Sequence, residues 1–516
     1  MKKYYILLLM FISYNMSAQI DKKRDYIWAL GYNFTPKVAF NKIDFNDNKV
    51  KLLPEITFTD TIGFLETNAS ICDKNGKLLF YTNGIDVRGQ TNRIVSNSKD
   101  FNYQQGVVVL KGGFRGRQNC LILPKPQTED TFFLFHKVTK TFYKPINRSF
   151  SDGMYITKVY AKDTFTNTIY KQHKISDDTL NYNELTAVRH TNGIDWWIIN
   201  PKDDSNVYCT FLLTHDTIQG PFYQAIGQSA PSNNYNFSSQ ACFSPDGKKF
   251  ARARGHDDGV YIFDFDRQNG KLSNDKYLHI VGEKNNSSFG CAFSGNSRFL
   301  YLTRDTFIYQ YDLKANDVLK SQTIVGQWDL KPVEFNLPTP FNALMLGPDC
   351  RIYGTTLAAT RYMHVINQPN IKGKGCDVKQ RGLTMPTYIA WGVPNYPNFR
   401  LGASGDNFAP CDSSKVLMFN TATEDSPQDV AHPVVNVYPN PTSQDVNVDI
   451  HGINQSYTQG TWQLHSATGQ VVASYPVLSG HSEYQFALPD LPNGLYVWRL
   501  TLDGRVRQNG KLVVLK

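Results

Sequence analysis

The chain reads as an all-β protein: a β-propeller followed by a small immunoglobulin-like β-sandwich. Three observations predict this. Short apolar strands alternate with polar turns along nearly the whole length. A hairpin motif recurs at near-constant spacing between residues 71 and 353. Tyr and Phe, 29 and 32 in number, are abundant, and aromatic residues favour strands. The 516 residues exceed what one core usually organises, so more than one domain is expected.

The repeated hairpin is an apolar strand, a polar turn and a second apolar strand. It appears as Ile71–Tyr81, Thr128–Phe135, His190–Ile199, Phe243–Ala251, Phe293–Tyr301 and Leu346–Tyr353. Aligned on the turn, the copies fall at Gly76, Asp130, Gly193, Gly247, Ser297 and Cys350. A repeat of roughly 40–50 residues holding four strands marks a propeller, because one small twisted sheet cannot bury both faces but a ring of sheets can. Asp-Gly and Asn-Gly at the turns allow the positive φ that tight hairpins need. Gly295-Asn296-Ser297 and Asp349-Cys350 replace that chemistry, so those two turns are expected to differ in geometry. Alternating strands such as Val260–Asp266 and Phe307–Leu313, then outer strands such as Lys271–Ile280, complete each unit. Strand candidates at Ile27–Gly31, Val38–Asn41 and Val50–Leu53 precede the first full hairpin. They are expected to join an inner strand near Thr387–Trp391 and close the ring, giving seven blades, with six as the alternative.

Met1-Lys2-Lys3, the apolar run Tyr4–Tyr14 and Ser17-Ala18-Gln19 read as a signal peptide over 1–18, cleaved after Ala18. The apolar run is too short to span a bilayer, and no later stretch reads as a transmembrane segment. The propeller then covers 19–411. Residues 412–433 are polar and aperiodic and read as a linker. From 434 to 516 short alternating strands resume with close turns, as a small antiparallel sandwich requires.

Tyr438-Pro439-Asn440-Pro441-Thr442, Thr468-Gly469-Gln470, Leu491–Val497 with Gly494, Leu495 and Tyr496, and the closing Lys511–Lys516 together resemble the type A C-terminal sorting domain of the type IX secretion system of Bacteroidetes. The resemblance implies export across the outer membrane to the cell surface or medium. Its implied partners are the translocon and a sortase-like peptidase that removes the domain near the linker. The mature protein is then released or attached to anionic lipopolysaccharide. The segments Gly76–Gly84, Phe243–Ala251, Ile262–Asp266 and Tyr309–Leu313 likewise make residues 26–410 similar to the propeller region of secreted Bacteroidetes proteins, gliding-motility-associated ones included. Propellers host many functions, so this resemblance implies fold more than activity.

The formal charge of +9 is spread over the chain without a basic run, which reads as solvated surface and argues against nucleic-acid binding. Eight cysteines are dispersed, none in a C-x-x-C. Exported, they can pair, and no connectivity follows from their spacing. The sequence holds no H-E-x-x-H, Walker loop, G-x-S-x-G or G-x-G-x-x-G. No catalytic residue, cofactor or metal site is therefore assigned. Gly255–Gly259 and Asp44–Asn48 gather carboxylates but read as turns. Trp196 and Trp197 read as packing between blades. Tyr235, in the Asn/Ser-rich stretch 229–240, is an aromatic candidate for a ligand. Arg115 and Arg117 in Gly113–Arg117 are candidates for gripping carboxylates or sulfates. Asp60-Thr61-Ile62, Asp178-Thr179-Leu180 and Asp216-Thr217-Ile218 match a short O-glycosylation acceptor motif of Bacteroidetes. The preferred reading is a surface module that binds a glycan or a surface protein. The alternatives are a glycan lyase or hydrolase with its site at the propeller channel, and a structural part of a motility or secretion apparatus.

Overall fold

The computed structural model describes residues 22–32, 41–47, 49–54, 63–99, 101–102, 113–142, 148–163, 165–229, 239–254, 259–280, 290–406, 411, 416–417, 434–451, 459–466, 468–503 and 505–516. The signal-peptide reading (1–18), the cluster 255–258, Tyr235 and nearly all of the linker lie outside these residues. The chain is all-β, with 54% strand and 3% helix. It divides into two compact units, Met1–Asn420 and Thr421–Lys516.

In the first unit the sheets follow one another along the chain in a propeller-like arrangement. The opening sheet joins Ile27–Leu30, Asn41–Asp44 and Lys49–Pro54 with the short parallel strand Val416–Leu417. The second holds Ala69–Cys72, Leu78–Thr82 and Val87–Gly89. The third has Cys120–Pro124 as its first strand and Phe165–Ser176 as its last. The next three sheets open on Thr186–Arg189, Gln240–Phe243 and Gly290–Phe293, and each takes its four strands in chain order. The last comprises Phe341–Leu346, Ile352–Thr356, Thr360–Ile366 and Val378–Ile389. First strands of neighbouring sheets pack together, and the outer strand Val378–Ile389 meets the opening sheet at Lys49–Pro54.

The recurring turns hold these sheets in common geometry. Gly76, Gly193 and Gly247 all have positive φ, and each amide donates to the carbonyl three residues earlier. Ser297 (φ 58°) and Cys350 (φ 68°) adopt the same left-handed backbone and the same bond, so those two turns do not differ from the others as expected. Neighbouring side chains offset the cost of a Cβ at that φ. The Ser294 hydroxyl donates to Asn296 Oδ1 (2.7 Å), whose oxygen also accepts the Arg298 amide (3.1 Å). Cys350 is bonded to Cys411, and the remaining six cysteines are free. In the third sheet the left-handed residue is Gln127, not Asp130.

Ring closure departs from expectation. Thr387–Ile389 ends the outer strand of the last sheet, with Ile389 opposite Thr360, and supplies no inner strand. Residues 391–401 instead run past the inner edges of the sheets without forming a ladder. The Trp391 amide donates to Leu65 O (3.1 Å), that of Asn395 to Asn68 O (2.9 Å), and the Tyr396 hydroxyl to Ile27 O (2.9 Å). The physical reason is Pro394 and Pro397, which have no N–H to give a ladder. Gly392 is required here, since a Cβ would stand 2.0 Å from Glu66 O.

This segment is the axis of the unit. Asn395 Nδ2 donates to Cys120 O and Leu185 O (both 2.9 Å), and its Oδ1 accepts from Gln118 Nε2 (3.1 Å). Two glutamine side chains act as chords between non-adjacent sheets. Gln118 donates to Ala241 O (2.8 Å) and accepts from the Ala241 amide (2.7 Å). Gln240 does the same with Leu344 (2.5 and 3.1 Å). Arg400 clamps Asp25 through both oxygens (2.6 and 2.8 Å), tying the segment to the start of the fold. Around it Trp28 packs with Phe45, Tyr353 and Tyr396, and Trp196 with Phe399.

The second unit is two antiparallel sheets. One holds Val434–Tyr438, Asp445–His451 and Glu483–Ala487. The other holds Val471–Val477, Gly460–His465, Gly494–Leu502 and Arg505–Val514. They share a core of Val446, Val448, Trp462, Leu464, Leu500 and Leu512.

Two predictions follow from the packing of the first unit. Asn395→Ala strips partners from two buried carbonyls and from Gln118, a loss of about 3 kcal/mol. Urea denaturation of the full chain is expected to show its main transition at clearly lower midpoint. His136 and His364 are buried and neutral, each pushed down to about 3, His136 by burial and His364 by burial reinforced by Arg381. The unfolded chain takes up protons at these sites near the usual 6.5 while the folded chain does not. Their contribution is thus complete above pH 6.5 and is lost as pH falls towards 3. Melts between pH 7.5 and 5 are expected to lose ~1.4 kcal/mol per histidine for each pH unit below 6.5. A pH-independent midpoint in a variant carrying both His136→Gln and His364→Gln locates the effect.

Candidate functional site

The channel is the place where an enzyme of this architecture would gather its groups. Here it is largely filled. The space left at its centre is about 80 Å³, lined by Arg117, Gln118, Gln240, Cys242, Val393 and Asn395 among others. That holds a few waters. Asp25 at its edge is spent on Arg400. Among the described residues no group of three or more His, Cys, Asp or Glu is placed to hold a metal ion.

Near one mouth, Glu66 is buried and accepts the Gly116 amide (2.7 Å). Burial raises its carboxyl, with the Gly116 amide and Arg117 opposing. Arg117 is itself buried, and burial lowers its guanidinium to about 10 although Glu66 opposes the shift. Its Nη2 meets Asn342 Oδ1, and its amide donates to Asn183 Oδ1 (2.8 Å). Arg115 is exposed. The two arginines of Gly113–Arg117 therefore do not form one surface grip: one faces solvent and the other ties strands together. Trp196 and Trp197 are buried, as read from sequence, with Arg189 over Trp196 at 4.2 Å and Trp197 Nε1 donating to Arg267 O (2.8 Å). Asp44 Oδ1 accepts from the Asn46 amide (2.8 Å) within its turn. Of the acceptor motifs, 60–62 lies outside the described residues, while Thr179 and Thr217 are exposed.

A different feature stands out on the loop entering the last sheet, residues 328–340. Leu330 and Phe335 are 69% and 75% exposed, the two most exposed large apolar side chains described. Leu330, Phe335 and Asn336 all have positive φ, between 58° and 60°. Non-glycine residues pay for that backbone, and it persists only where the surroundings enforce it. They do so here. Arg381 binds Asp329 (3.0 Å) and the Thr339 hydroxyl (3.0 Å). The Asp329 amide donates to Gln380 Oε1 (3.0 Å), whose amide donates to Gln327 O (2.8 Å). Burial works to raise the Asp329 carboxyl, but Arg381 and the Lys331 amide outweigh it and hold it below the usual range. Val333 and Leu337 close the loop with a backbone bond (2.9 Å).

Beside the exposed apolar pair lies a polar strip. Glu334 Oε1 accepts from the Tyr362 hydroxyl (3.2 Å). Burial, then the Glu334 charge, raises the phenols of both Tyr362 and Tyr388, so the carboxylate acts on the two rings. Arg361, next to Tyr362, donates to Met385 O (3.1 Å). A rigid loop thus presents an aromatic ring and an aliphatic side chain next to two phenols, a carboxylate and a guanidinium. Sequence reading passed over it, because Leu330 and Phe335 look like core residues by type. The usable signal is their setting in Asp329–Pro340, which has no strand alternation and three prolines, Pro332, Pro338 and Pro340.

In the second unit the separated motifs converge on one edge. Asn440 Nδ2 donates to Lys511 O (3.0 Å) and its Oδ1 accepts the Val513 amide (2.9 Å). Thr442 brackets the same strand through Val513 O (2.9 Å) and the Leu515 amide (2.8 Å). That strand pairs with Gly494–Leu502, setting Gly494 opposite Val514 and Val497 opposite Lys511. Tyr496 is buried, its hydroxyl donating to Pro492 O (2.9 Å), while Tyr438 and Leu495 stay about half exposed. Pro439 and Pro441 line a shallow pocket with Leu515.

Residues 436–515 match the secretion system C-terminal sorting domain family. No curated protein matches the sequence. The fold is similar to solved structures at low identity. A periplasmic gluconolactonase of Pseudomonas aeruginosa is 12% identical, over 72% of this chain and 98% of that one, with a TM-score of 0.39. A functionally unknown protein from Desulfotomaculum acetoxidans is 13% identical over 72% and 99%, at 0.38. The Cps50 (Swd1) β-propeller domain of Myceliophteria thermophila is 9% identical over 64% and 90%, at 0.33. Among the described residues no helix is long and apolar enough to cross a membrane. The matched domain marks the chain as cargo of the type IX secretion machinery, exported to the cell surface or beyond.

Proposed function

We propose that the exported first unit is a binding module that takes a saccharide on the rim formed by Leu330, Phe335, Glu334, Tyr362, Tyr388 and Arg361. The observation that carries this reading is Phe335: an aromatic ring 75% exposed on a backbone of positive φ that neighbouring side chains hold in place. An exposed ring on such a backbone suits a ligand that stacks on it. Sugar rings suit it, since their C–H faces pack on aromatic rings while hydroxyls reach carboxylate, phenol and guanidinium groups. Arg115 is exposed ahead of a different inner strand, Cys120–Pro124. The filled channel supports a binder over a channel lyase or hydrolase.

Within this reading the first unit is a seven-bladed propeller over 19–411, closed by residues 391–401. It is of the kind Bacteroidetes secrete, gliding-motility-associated proteins included. The second unit is an immunoglobulin-like sandwich over 434–516, joined through the linker 412–433. Residues 1–18 direct passage through the inner membrane. The translocon recognises the edge built by Tyr438–Pro441, Gly494–Tyr496 and Lys511, and the sortase then cuts in the linker. The product is released or held on lipopolysaccharide.

A glycan and polysaccharide array, read for binding and for released product, tests the module with the full chain. Phe335→Ala is expected to weaken binding at least tenfold, roughly the 1–3 kcal/mol of one lost stacking contact, while leaving the melting curve unchanged. Binding that survives both Phe335→Ala and Tyr362→Phe places the ligand elsewhere. Product release places chemistry in this unit and favours the enzyme.

A further inference from the structure

The exported chain carries six cysteines outside its one disulfide. Four of them, Cys72, Cys120, Cys209 and Cys376, are buried. Cys242 and Cys291 differ. They stand on first strands of neighbouring sheets, Gln240–Phe243 and Gly290–Phe293, which pack against each other. Their sulfurs are 3.7 Å apart. Cys291 Sγ also lies 3.4 Å from Gln240 O, which fixes it on the side facing the neighbouring strand. Both residues line the central cavity, and Cys242 is only partly buried.

We infer that Cys242 and Cys291 are a dithiol that closes to a second disulfide once the chain has left the reducing cytoplasm. The inference rests on the export route and is independent of the ligand proposed for the rim. A disulfide needs sulfurs about 2.05 Å apart, so the pair closes by about 1.7 Å of sulfur movement. Export supplies the setting, since disulfides form and persist outside the cytoplasm. The co-reactant is a disulfide, either of an envelope thiol oxidase or of a small molecule. Cys242, the more accessible thiol, loses its proton and attacks that disulfide. A mixed disulfide forms and one thiolate leaves. The Cys291 thiolate then displaces the second thiolate from Cys242. Two protein thiols become one S–S bond, and the oxidant gains two electrons and two protons as two thiols. Cys242 does not ionise readily: the contact with Cys291 and burial raise its thiol well above the usual value. Closure is therefore slow but persistent, as suits a structural bond and not a catalytic one. It would link two sheets across 49 residues of chain, at the wall that Gln240 already ties to Leu344.

Thiol counting on the full-length protein tests this. The protein is incubated with oxidised glutathione, denatured without reductant, alkylated and mapped by mass spectrometry. The expected result is alkylation at Cys72, Cys120, Cys209 and Cys376 only. A peptide pair joined through Cys242 and Cys291 should appear beside the pair joined through Cys350 and Cys411, and both should vanish on reduction. Cys242→Ser is expected to return Cys291 to the alkylated set while leaving Cys350–Cys411 intact. Alkylation of both Cys242 and Cys291 after prolonged oxidation of the wild-type protein overturns the inference, as does pairing of either with another cysteine. Loss of glycan binding with the thiol count as expected would overturn only the proposed function.

Discussion

The first unit depends on one constraint: among the described residues only scattered hydrogen bonds join one sheet to the next, such as that from the Tyr32 amide to Tyr388 O (2.8 Å), so the ring leans on its axis. That axis is Asn395 and the irregular segment around it. One side chain satisfies carbonyls at the starts of two first strands, Cys120 and Leu185, and a glutamine just ahead of Cys120, while its backbone amide binds a third element at Asn68. Gln118 and Gln240 repeat the device, each offering a donor and an acceptor to one residue of a distant strand, as a backbone partner would. Buried polar networks are costly unless complete, and complete ones specify a single arrangement. The fold therefore spends its channel on closure. The residues that face the axis are here used to hold sheets together.

Much of the fold was legible because it is periodic. Turn glycines and alternating strands report local geometry, and a sheet-by-sheet architecture is little more than local geometry repeated. Ser297 and Cys350 show the limit of reading turns by residue type. Neither is a glycine, yet both take the left-handed backbone, because the turn's position in the repeat decides it. The closing segment is not the inner strand expected near Thr387–Trp391, where the chain instead ends an outer strand at Ile389. Pro394 and Pro397 argued against a ladder just beyond it, and the contacts that define its path come from residues hundreds of positions away. No local pattern encodes a chord such as Gln118 to Ala241.

The sites were less legible for the same reason. Arg115 and Arg117 are two residues apart in sequence and opposite in fate, one exposed and one buried between Glu66, Asn183 and Asn342. In the rim loop, residue type misleads in the other direction. Leu330 and Phe335 are apolar and exposed, and only the backbone conformation separates them from ordinary loop residues. The sorting domain was the exception. Its motifs are short, fixed and terminal, and the structure supplies a physical reason for their joint presence: Asn440 and Thr442 are tied to the last strand, which is tied in turn to Gly494–Leu502.

The two units divide the labour along this line. An export signal is read by machinery common to many cargoes, so its surface must be constant, and short motifs folded against each other achieve that. A recognition surface must vary among cargoes, so it sits on loops whose conformation the sheets support without dictating their sequence. The rim loop at 328–340 fits that requirement, because its anchors and its contacts are different residues. Asp329, Arg381, Gln380 and Thr339 set the backbone, while Leu330 and Phe335 project from it. Changing the projecting pair would alter what is bound without disturbing the loop, whereas changing Arg381 would release the loop and leave the apolar pair free to collapse. A surface made this way can be retargeted by few substitutions, as the proposed binding role would require.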